Sequence, residues 1–209
     1  MSARLITLEG GEGAGKSTLL AGLQQLIVAH GIQPVLTREP GGTGLGEAVR
    51  ALVLNPAHPQ LCAESELLLM FASRAQLVRE VIRPALAAGR WVLCDRFTDA
   101  SYAYQGGGRG QPVERIAELE RWAADGLKPD LTLLLDLDVD AGRARAAGRG
   151  EADRIEVEAD GFFERVRATY RARAAAEPSR FRLLDASAAP AAVLAQAAQA
   201  LAPLFEAEA

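Results

Sequence analysis

The sequence contains little lysine and little cysteine. Lys16 and Lys128 are the only lysines among 23 basic residues, and 27 acidic residues bring the net charge to −4. No overall positive field would therefore attract nucleic acid or an anionic membrane. Cys62 and Cys94 lack the spacing of metal ligands, and a chain of this length needs no disulfide. We expect a protein of the reducing cytoplasm that binds no polynucleotide.

The sequence shows no pattern typical of a targeting or membrane-spanning segment. The N-terminal stretch MSARLITLEGG has no signal-peptide core, and no apolar run reaches the length of a bilayer. There is no internal repeat and no low-complexity linker. At 209 residues with 49% hydrophobic composition, the chain is long enough to bury one core. We expect a single domain over residues 1–209 with no membrane partner.

The segment GGEGAGKST at residues 10–18 is the most specific motif. In the frame Gly-x-x-x-x-Gly-Lys-Ser, backbone N–H groups, the lysine and a hydroxyl-bound Mg²⁺ surround the phosphates of ATP or GTP. An apolar strand (4–9) precedes it and a helix (17–31) follows, as the motif requires. Lys16 is predicted to reach the β and γ phosphates and Ser17 to bind Mg²⁺. The predicted nucleotide-binding residues of this loop are Gly10, Gly11, Glu12, Gly13, Ala14, Gly15, Lys16, Ser17 and Thr18.

Strand and helix patterns alternate along the rest of the chain. Further strands are predicted at 34–39, 90–96, 130–138 and 180–187, with helices near 45–53, 64–88, 112–125, 139–147, 160–176 and 190–204. Such alternation predicts an α/β protein with the three-layer P-loop NTPase fold, a parallel five-stranded sheet with helices on both faces. Ligands then bind at the carboxyl ends of the strands. The glycine runs at 106–110 and 148–150 predict mobile loops.

Charged side chains follow two of these strands. Arg38 in TREPGGTG (37–44) lies beside a glycine turn, although a surface arginine explains it equally well when taken alone. Asp95 and Arg96 in CDRF (94–97) end another strand, where the acid can hold a magnesium-bound water and the arginine can meet a phosphate. Two arginines that converge opposite the phosphate loop indicate a second phosphate group. The pattern is typical of a nucleoside monophosphate kinase.

Six stretches together resemble one family. EGGEGAGKST, TREPGGT, FASR, CDRF, SYAYQGGGRG and RGEADRIE occur in the order and spacing of bacterial thymidylate kinase, over nearly the whole chain. That family transfers the γ-phosphate of ATP to dTMP. The resemblance implies ATP and dTMP as substrates and Mg²⁺ as the cofactor, with Ser17 and Asp95 as its protein contacts.

The resemblance also implies roles for individual acceptor-side residues. Glu12 would accept a hydrogen bond from the 3′-hydroxyl of dTMP, since a carboxylate only accepts and repels an acceptor already phosphorylated there. Arg38 and Arg96 would hold the dTMP phosphate. The residues that would contact the base or crowd the ribose 2′ position are Arg74, Ser101, Tyr104 and Gln105, with Arg74 donating to the thymine O4.

The long helix departs from the family pattern at the position that stacks on thymine. Family members commonly have phenylalanine four residues before the base-reading arginine, but here that residue is Met70 and the phenylalanine is Phe71. Both share a helical face with Arg74, so either side chain could cover the base. Met70 as plain core filling is the other interpretation.

A basic, glycine-interrupted segment, RARAAGRGEADRIE at 143–156, is predicted to form a lid over ATP. The phosphate loop supplies no arginine to neutralise the transferring phosphoryl group, and phosphoryl transfer depends on positioning and charge stabilisation. Arg149 is the predicted catalytic residue, together with Lys16, Arg96 and Glu12, while Arg145 and Arg154 would assist by binding ATP. A solvated arginine-rich helix end is the alternative.

The long helix at 64–88 also predicts the oligomeric state. Its apolar residues at 67–72 cover more than one face, which with the family precedent predicts a homodimer through this helix. Two other functions are compatible with the loop alone, namely a kinase for another nucleoside monophosphate or a deoxynucleoside, and a nonenzymatic nucleotide switch. The two converging arginines argue against the switch.

Replacing Arg149 by Ala should lower kcat by about a hundredfold or more while KM for dTMP stays nearly unchanged, because its contact forms in the transition state. Steady-state kinetics of Arg149→Ala, Arg145→Ala and Arg154→Ala would measure this. Near-normal turnover of all three variants would contradict the lid mechanism.

Overall fold

The computed structural model describes residues 2–147 and 152–206. Within these ranges the strands are β1 (Leu5–Gly10), β2 (Val35–Arg38), β3 (Val92–Asp95), β4 (Leu131–Asp136) and β5 (Phe181–Asp185). The α-helices are α1 (Lys16–Ala29), α2 (Gly44–Leu54), α3 (Ala63–Leu77), α4 (Arg83–Ala87), α5 (Thr98–Ser101), α6 (Val113–Ala123), α7 (Val139–Ala146), α8 (Asp160–Ala176) and α9 (Pro190–Glu206). None of the helices in the described part of the chain is long and apolar enough to cross a membrane.

The strands form one parallel five-stranded sheet in the order β2-β3-β1-β4-β5. β1 lies at its centre with all six residues buried, including the polar Thr7 and Glu9. Leu23 of α1 and Leu201 of α9 belong to the core on one face, whereas Leu77 and Ile82 belong to the core on the other. Helices on both faces confirm the predicted layers. All five strand ends meet at one edge.

The predicted long helix at 64–88 is a continuous helical stretch, but it is not regular. α3 passes into a π-helical segment at Val78–Ile82 and then into α4. Pro84 stands near the start of α4 and has no N–H to donate, so the regular i to i−4 bonding is interrupted there. Apolar spacing alone could not predict this change of hydrogen bonding.

The prediction of a mobile loop at 106–110 was wrong for its first three residues. They complete a π-helical segment, Tyr102–Gly108, that continues α5. A Cβ on Gly107 would lie 2.8 Å from the carbonyl oxygen of Arg165, and one on Gly108 would clash with the Phe162 ring. These glycines therefore allow close packing against α8. The second predicted loop, 148–150, lies outside the described residues.

The phosphate loop rests directly on α7. A Cβ on Gly13 would clash with the backbone of Gly142, and a Cβ on Gly142 would meet the carbonyl oxygen of Glu12. Gly13 also has a φ of +71°, which favours glycine. Two backbones thus touch without any side chain between them.

Candidate active site

The phosphate loop joins β1 to α1 at the centre of the strand edge. Gly15, with a φ of +93°, caps α1, so the N–H groups of the first helical turn face the loop. Lys16 is buried, and its Nζ donates to the carbonyls of Gly10 at 3.1 Å and Gly11 at 2.9 Å. Burial and the nearby Arg96 lower the pKa of Lys16. The loop therefore presents backbone donors and one lysine to an anion.

A cavity of about 400 Å³, here called the larger cavity, opens on one side of this loop. It brings together twelve residues singled out from the sequence, which lie on five segments of the chain. They are Glu12, Gly13, Gly15, Lys16, Ser17, Thr18, Arg38, Met70, Asp95, Arg96, Tyr104 and Gln105.

Arg96 and Glu12 meet within the larger cavity. Arg96 donates from Nη2 to Glu12 Oε1 at 2.5 Å and from Nη1 to the Gly10 carbonyl at 3.0 Å. The hydroxyl of Tyr104 also donates to Glu12 Oε1, at 3.1 Å, and the Tyr104 ring lies under the Arg96 guanidinium. Burial would raise the pKa of Glu12, but Arg96 and Lys16 outweigh it and lower that pKa. Glu12 is therefore an ionised acceptor.

The backbone at Arg96 is held in an uncommon conformation, with a φ of +68°. Its N–H donates to the Leu8 carbonyl at 2.9 Å, and the next N–H, of Phe97, donates to Glu9 Oε1 at 2.7 Å. Tyr170 donates to the other oxygen of Glu9, at 2.7 Å. Burial and the charge of Asp99 raise the pKa of Glu9 to about 8. No role in the site was predicted for Glu9 from the sequence, because this residue lies within a segment predicted only as a buried strand.

The second predicted phosphate-binding arginine lies across the larger cavity. Arg38 is half exposed and pairs with Glu47 at 2.9 Å. Arg50 of α2 also lines the cavity and donates to the Pro40 carbonyl at 3.2 Å. Arg50 was not predicted from the sequence as a site residue, because the chain is rich in arginine. Its spacing from the buried Gly46 and Val53 is the signal that places it on the inner face of α2.

Arg74 and Ser101 lie beneath the larger cavity and do not line it. Arg74 is fully buried and donates to Glu39 Oε2 at 2.8 Å, Ser101 Oγ at 3.0 Å and the Phe97 carbonyl at 3.0 Å. Met70 lines the cavity, whereas Phe71 packs in the core against α6 and under the Arg74 guanidinium. The structure therefore brings Met70, and not Phe71, to the cavity surface.

A second cavity of about 350 Å³, here called the smaller cavity, lies on the other side of the loop. Gly13, Gly15 and Thr18 face it, together with residues 186–190 after β5. Arg145 lines it and donates to the carbonyls of Ala186 at 2.7 Å and Ser187 at 3.2 Å. The predicted ATP-binding Arg145 thus lies beside the loop, near the segment LLDAS.

The other two lid arginines differ from Arg145. Arg154 is buried, donates to the Val53 carbonyl at 2.7 Å and pairs with Glu66 of α3. These partners lie on α2 and α3, so the structure does not bring Arg154 to the phosphate loop. Arg149 lies outside the described residues.

Ser17 and Asp95 fit a magnesium ion that also contacts phosphate oxygens. Both line the larger cavity, and Asp95 Oδ1 is buried without a hydrogen-bond partner among the described residues. No cluster of three or more His, Cys, Asp or Glu side chains that could hold a metal occurs in residues 2–147 and 152–206. A hydroxyl, one carboxylate and phosphate oxygens are ligands that Mg²⁺ accepts.

The fold and the loop with its two cavities define a P-loop NTPase, which confirms the predicted fold class. The chain belongs to the thymidylate kinase family, whose model matches residues 8–197. A thymidylate kinase of Pseudomonas syringae pv. tomato is 55% identical over 206 residues, covering 99% of this chain and 98% of the relative. A thymidylate kinase of Pseudomonas putida is 58% identical over 187 residues, which cover 90% of this chain and 89% of the relative.

The structural comparison agrees with the sequence comparison. The crystal structure of thymidylate kinase from Ehrlichia chaffeensis matches with a TM-score of 0.77 at 31% identity, covering 96% of this chain and 99% of that one. The predicted family membership is therefore confirmed.

Glu9 should make stability depend on pH. Its pKa is about 8 in the folded protein against 4.5 ordinarily, so the stability gained from its protonated form is full below pH 4.5 and is lost as the pH rises to 8. The free energy of unfolding of the wild type, minus that of Glu9→Gln, should fall between pH 5 and 8 by up to about 1.4 kcal/mol per pH unit. Urea titrations at each pH would measure it, and a constant difference would refute it.

Proposed function

We propose that dTMP binds in the larger cavity and ATP in the smaller one, with its phosphates in the loop between them. The chain is an enzyme of the thymidylate kinase family and phosphorylates dTMP to dTDP with ATP. The observation that best supports the proposed placement is the convergence of Glu12, Arg96 and Tyr104 on one wall of the larger cavity.

The wall of the larger cavity suits a nucleoside monophosphate. Arg96, Arg38 and Arg50 supply positive charge for its phosphate, and guanidinium groups match phosphate oxygens well. Ionised Glu12 accepts the hydrogen bond of the 3′-hydroxyl, and Met70 covers the base from α3. Arg74 lies behind this wall and supports it through its hydrogen bonds to Glu39 and Ser101.

Phosphoryl transfer then needs no covalent enzyme intermediate. A phosphate oxygen of dTMP is already anionic, so it attacks the γ-phosphate in line without a general base. Lys16 leaves the Gly10 and Gly11 carbonyls to meet the β and γ phosphates, and Ser17 and Asp95 would hold Mg²⁺. The ion neutralises phosphate charge when bound. Arg149 supplies the remaining positive charge, and Arg145 contacts ATP beside the adenine.

The chain is proposed to act as one thymidylate kinase domain over residues 1–209, in the cytoplasm. Cys62 and Cys94 are free thiols, which suits a reducing compartment. We also propose a homodimer through the exposed face of α3. Leu67, Met70 and Phe71 are buried within the chain, whereas Leu68 is 57% exposed and Trp122 of the adjacent α6 is 83% exposed. Large exposed apolar side chains favour a protein interface.

The reaction and the role of Glu12 are tested by one substrate panel. The wild type should phosphorylate dTMP in preference to dUMP, dCMP, AMP and thymidine. Glu12→Gln should reduce the preference for dTMP over its 3′-deoxy analogue by about tenfold, because a hydrogen bond to a charged acceptor is lost, with less change in KM for ATP. The control variant Glu47→Gln loses the ion pair with Arg38 but should keep the wild-type preference for dTMP over its 3′-deoxy analogue. An equal loss for both acceptors would assign Glu12 a general loop role.

The dimer is tested by a charge in the proposed interface. Leu68→Glu should convert a dimer of the wild type into a monomer at micromolar concentration, because burying an unpaired carboxylate is costly. Light scattering measures the mass. Leu183, 52% exposed on the edge strand β5, provides the control Leu183→Glu, which should stay dimeric. A wild type that is monomeric would contradict the proposal.

A further inference from the structure

Glu66 is a buried acid on the cavity side of α3. It is 1% exposed and lies four and eight residues before Met70 and Arg74, so the three side chains share one helical face. Its carboxylate accepts hydrogen bonds from Gln105 at 2.9 Å, from Arg109 at 3.3 Å and from Arg154. These donors come from two distant segments of the chain. A carboxylate with three donors is fixed in place.

Gln105 has one satisfied and one unsatisfied side-chain atom. Gln105 is one of the residues that line the larger cavity, although it is only 1% exposed. Nε2 donates to Glu66, whereas Oε1 is buried with no hydrogen-bond partner among the described residues. A buried amide oxygen left without a donor is destabilising. The unpaired oxygen of this cavity-lining residue is available to a donor group on the molecule that fills the cavity.

The orientation of the Gln105 amide follows from the chemistry of Glu66. An ionised carboxylate can only accept, so it must face the NH₂ group and leave the carbonyl oxygen on the other end. Burial alone would raise the pKa of Glu66, but Gln105, Arg154 and Arg109 outweigh it and lower that pKa. Arg109 is itself held by Glu158 and by the Phe162 ring. The two arginines keep Glu66 an acceptor, and the amide cannot reverse.

We infer that Glu66 is a positioning residue for base specificity, which acts by locking the Gln105 carbonyl oxygen toward the base. This inference rests on the proposed binding of dTMP in the larger cavity. The locked oxygen accepts the N3–H group of thymine or uracil. The N3 atom of cytosine carries no hydrogen and is itself an acceptor. Two acceptors, this N3 and the Gln105 oxygen, would then face each other and repel. Glu66 thereby selects N3–H bases without touching them.

A change of Glu66 to glutamine removes the lock and keeps the shape. The amide introduced by Glu66→Gln can donate or accept, so the Gln105 amide can present either end to the base. The ratio of kcat/KM for dTMP to that for 5-methyl-dCMP, which keeps the methyl group, should fall by about tenfold or more in Glu66→Gln. Both values come from one preparation, so the fraction of folded enzyme cancels. Glu64→Gln, a change at an acid near the start of the same helix, should keep the wild-type ratio.

The reciprocal exchange distinguishes positioning from simple anchoring of the arginines. Gln105→Glu places two carboxylates in contact and should lower kcat/KM for dTMP by about tenfold or more. In the double variant Glu66→Gln/Gln105→Glu, the carboxylate at position 105 again accepts on both sides, since the amide at position 66 donates to it. The preference for dTMP should then return to within about threefold of the wild type. Failure of this rescue would overturn the inference.

Two further results separate the possible failures. If Glu66→Gln does not fold, Gln105→Met keeps the pairs between Glu66 and the arginines and should show the same fall in the ratio. An unchanged ratio in Glu66→Gln, or in Gln105→Met, would overturn the inference and leave Glu66 only as the ion-pair partner of Arg109 and Arg154. A wild type that does not phosphorylate dTMP would instead refute the proposed function.

Discussion

The site depends on Arg96, whose backbone and side chain are fixed independently. A non-glycine residue with a φ of +68° costs on the order of 1–3 kcal/mol, so the surrounding structure must hold it there. The carbonyl of Leu8 and the carboxyl of Glu9, both on β1, bond the N–H groups of Arg96 and Phe97. The unusual turn is therefore set by the pairing of β1 with β3. It directs the guanidinium toward Gly10 and Glu12, and so joins the phosphate loop to the acceptor side.

The wall that faces the base is secured by buried ion pairs as well as by apolar packing. The segment α5 and the π-helical turn after it carry Ser101, Tyr104 and Gln105. Asp99 in α5 is fully buried and accepts from Arg173 at 2.5 Å and Arg180 at 2.7 Å. Removing one partner of such a buried pair leaves an uncompensated charge, which is strongly destabilising. Together with Arg74, these contacts give the base-facing residues fixed positions before any substrate binds.

Local patterns predicted the sheet and the loop because those elements carry their own signals. The apolar runs of β1 and β4 and the glycine-lysine frame at 10–18 identify themselves within a few residues. The helical turn at 102–108 could not be predicted, because its glycines are explained by α8, some sixty residues later. Arg50 resembles the other arginines of the sequence, and only tertiary contacts show that Arg154 of the predicted lid pairs with Glu66 of α3. The choice between Met70 and Phe71 likewise required the packing of α6 against α3.

The contact between Gly13 and Gly142 requires glycine both in the phosphate loop and in α7. Both partners are backbone atoms, so no neighbouring rotamer can adjust when either position acquires a side chain. A second substitution elsewhere cannot restore the lost space, so both positions require glycine. Exchange of α7 between related enzymes will therefore preserve the loop only when the incoming helix has a glycine at this position.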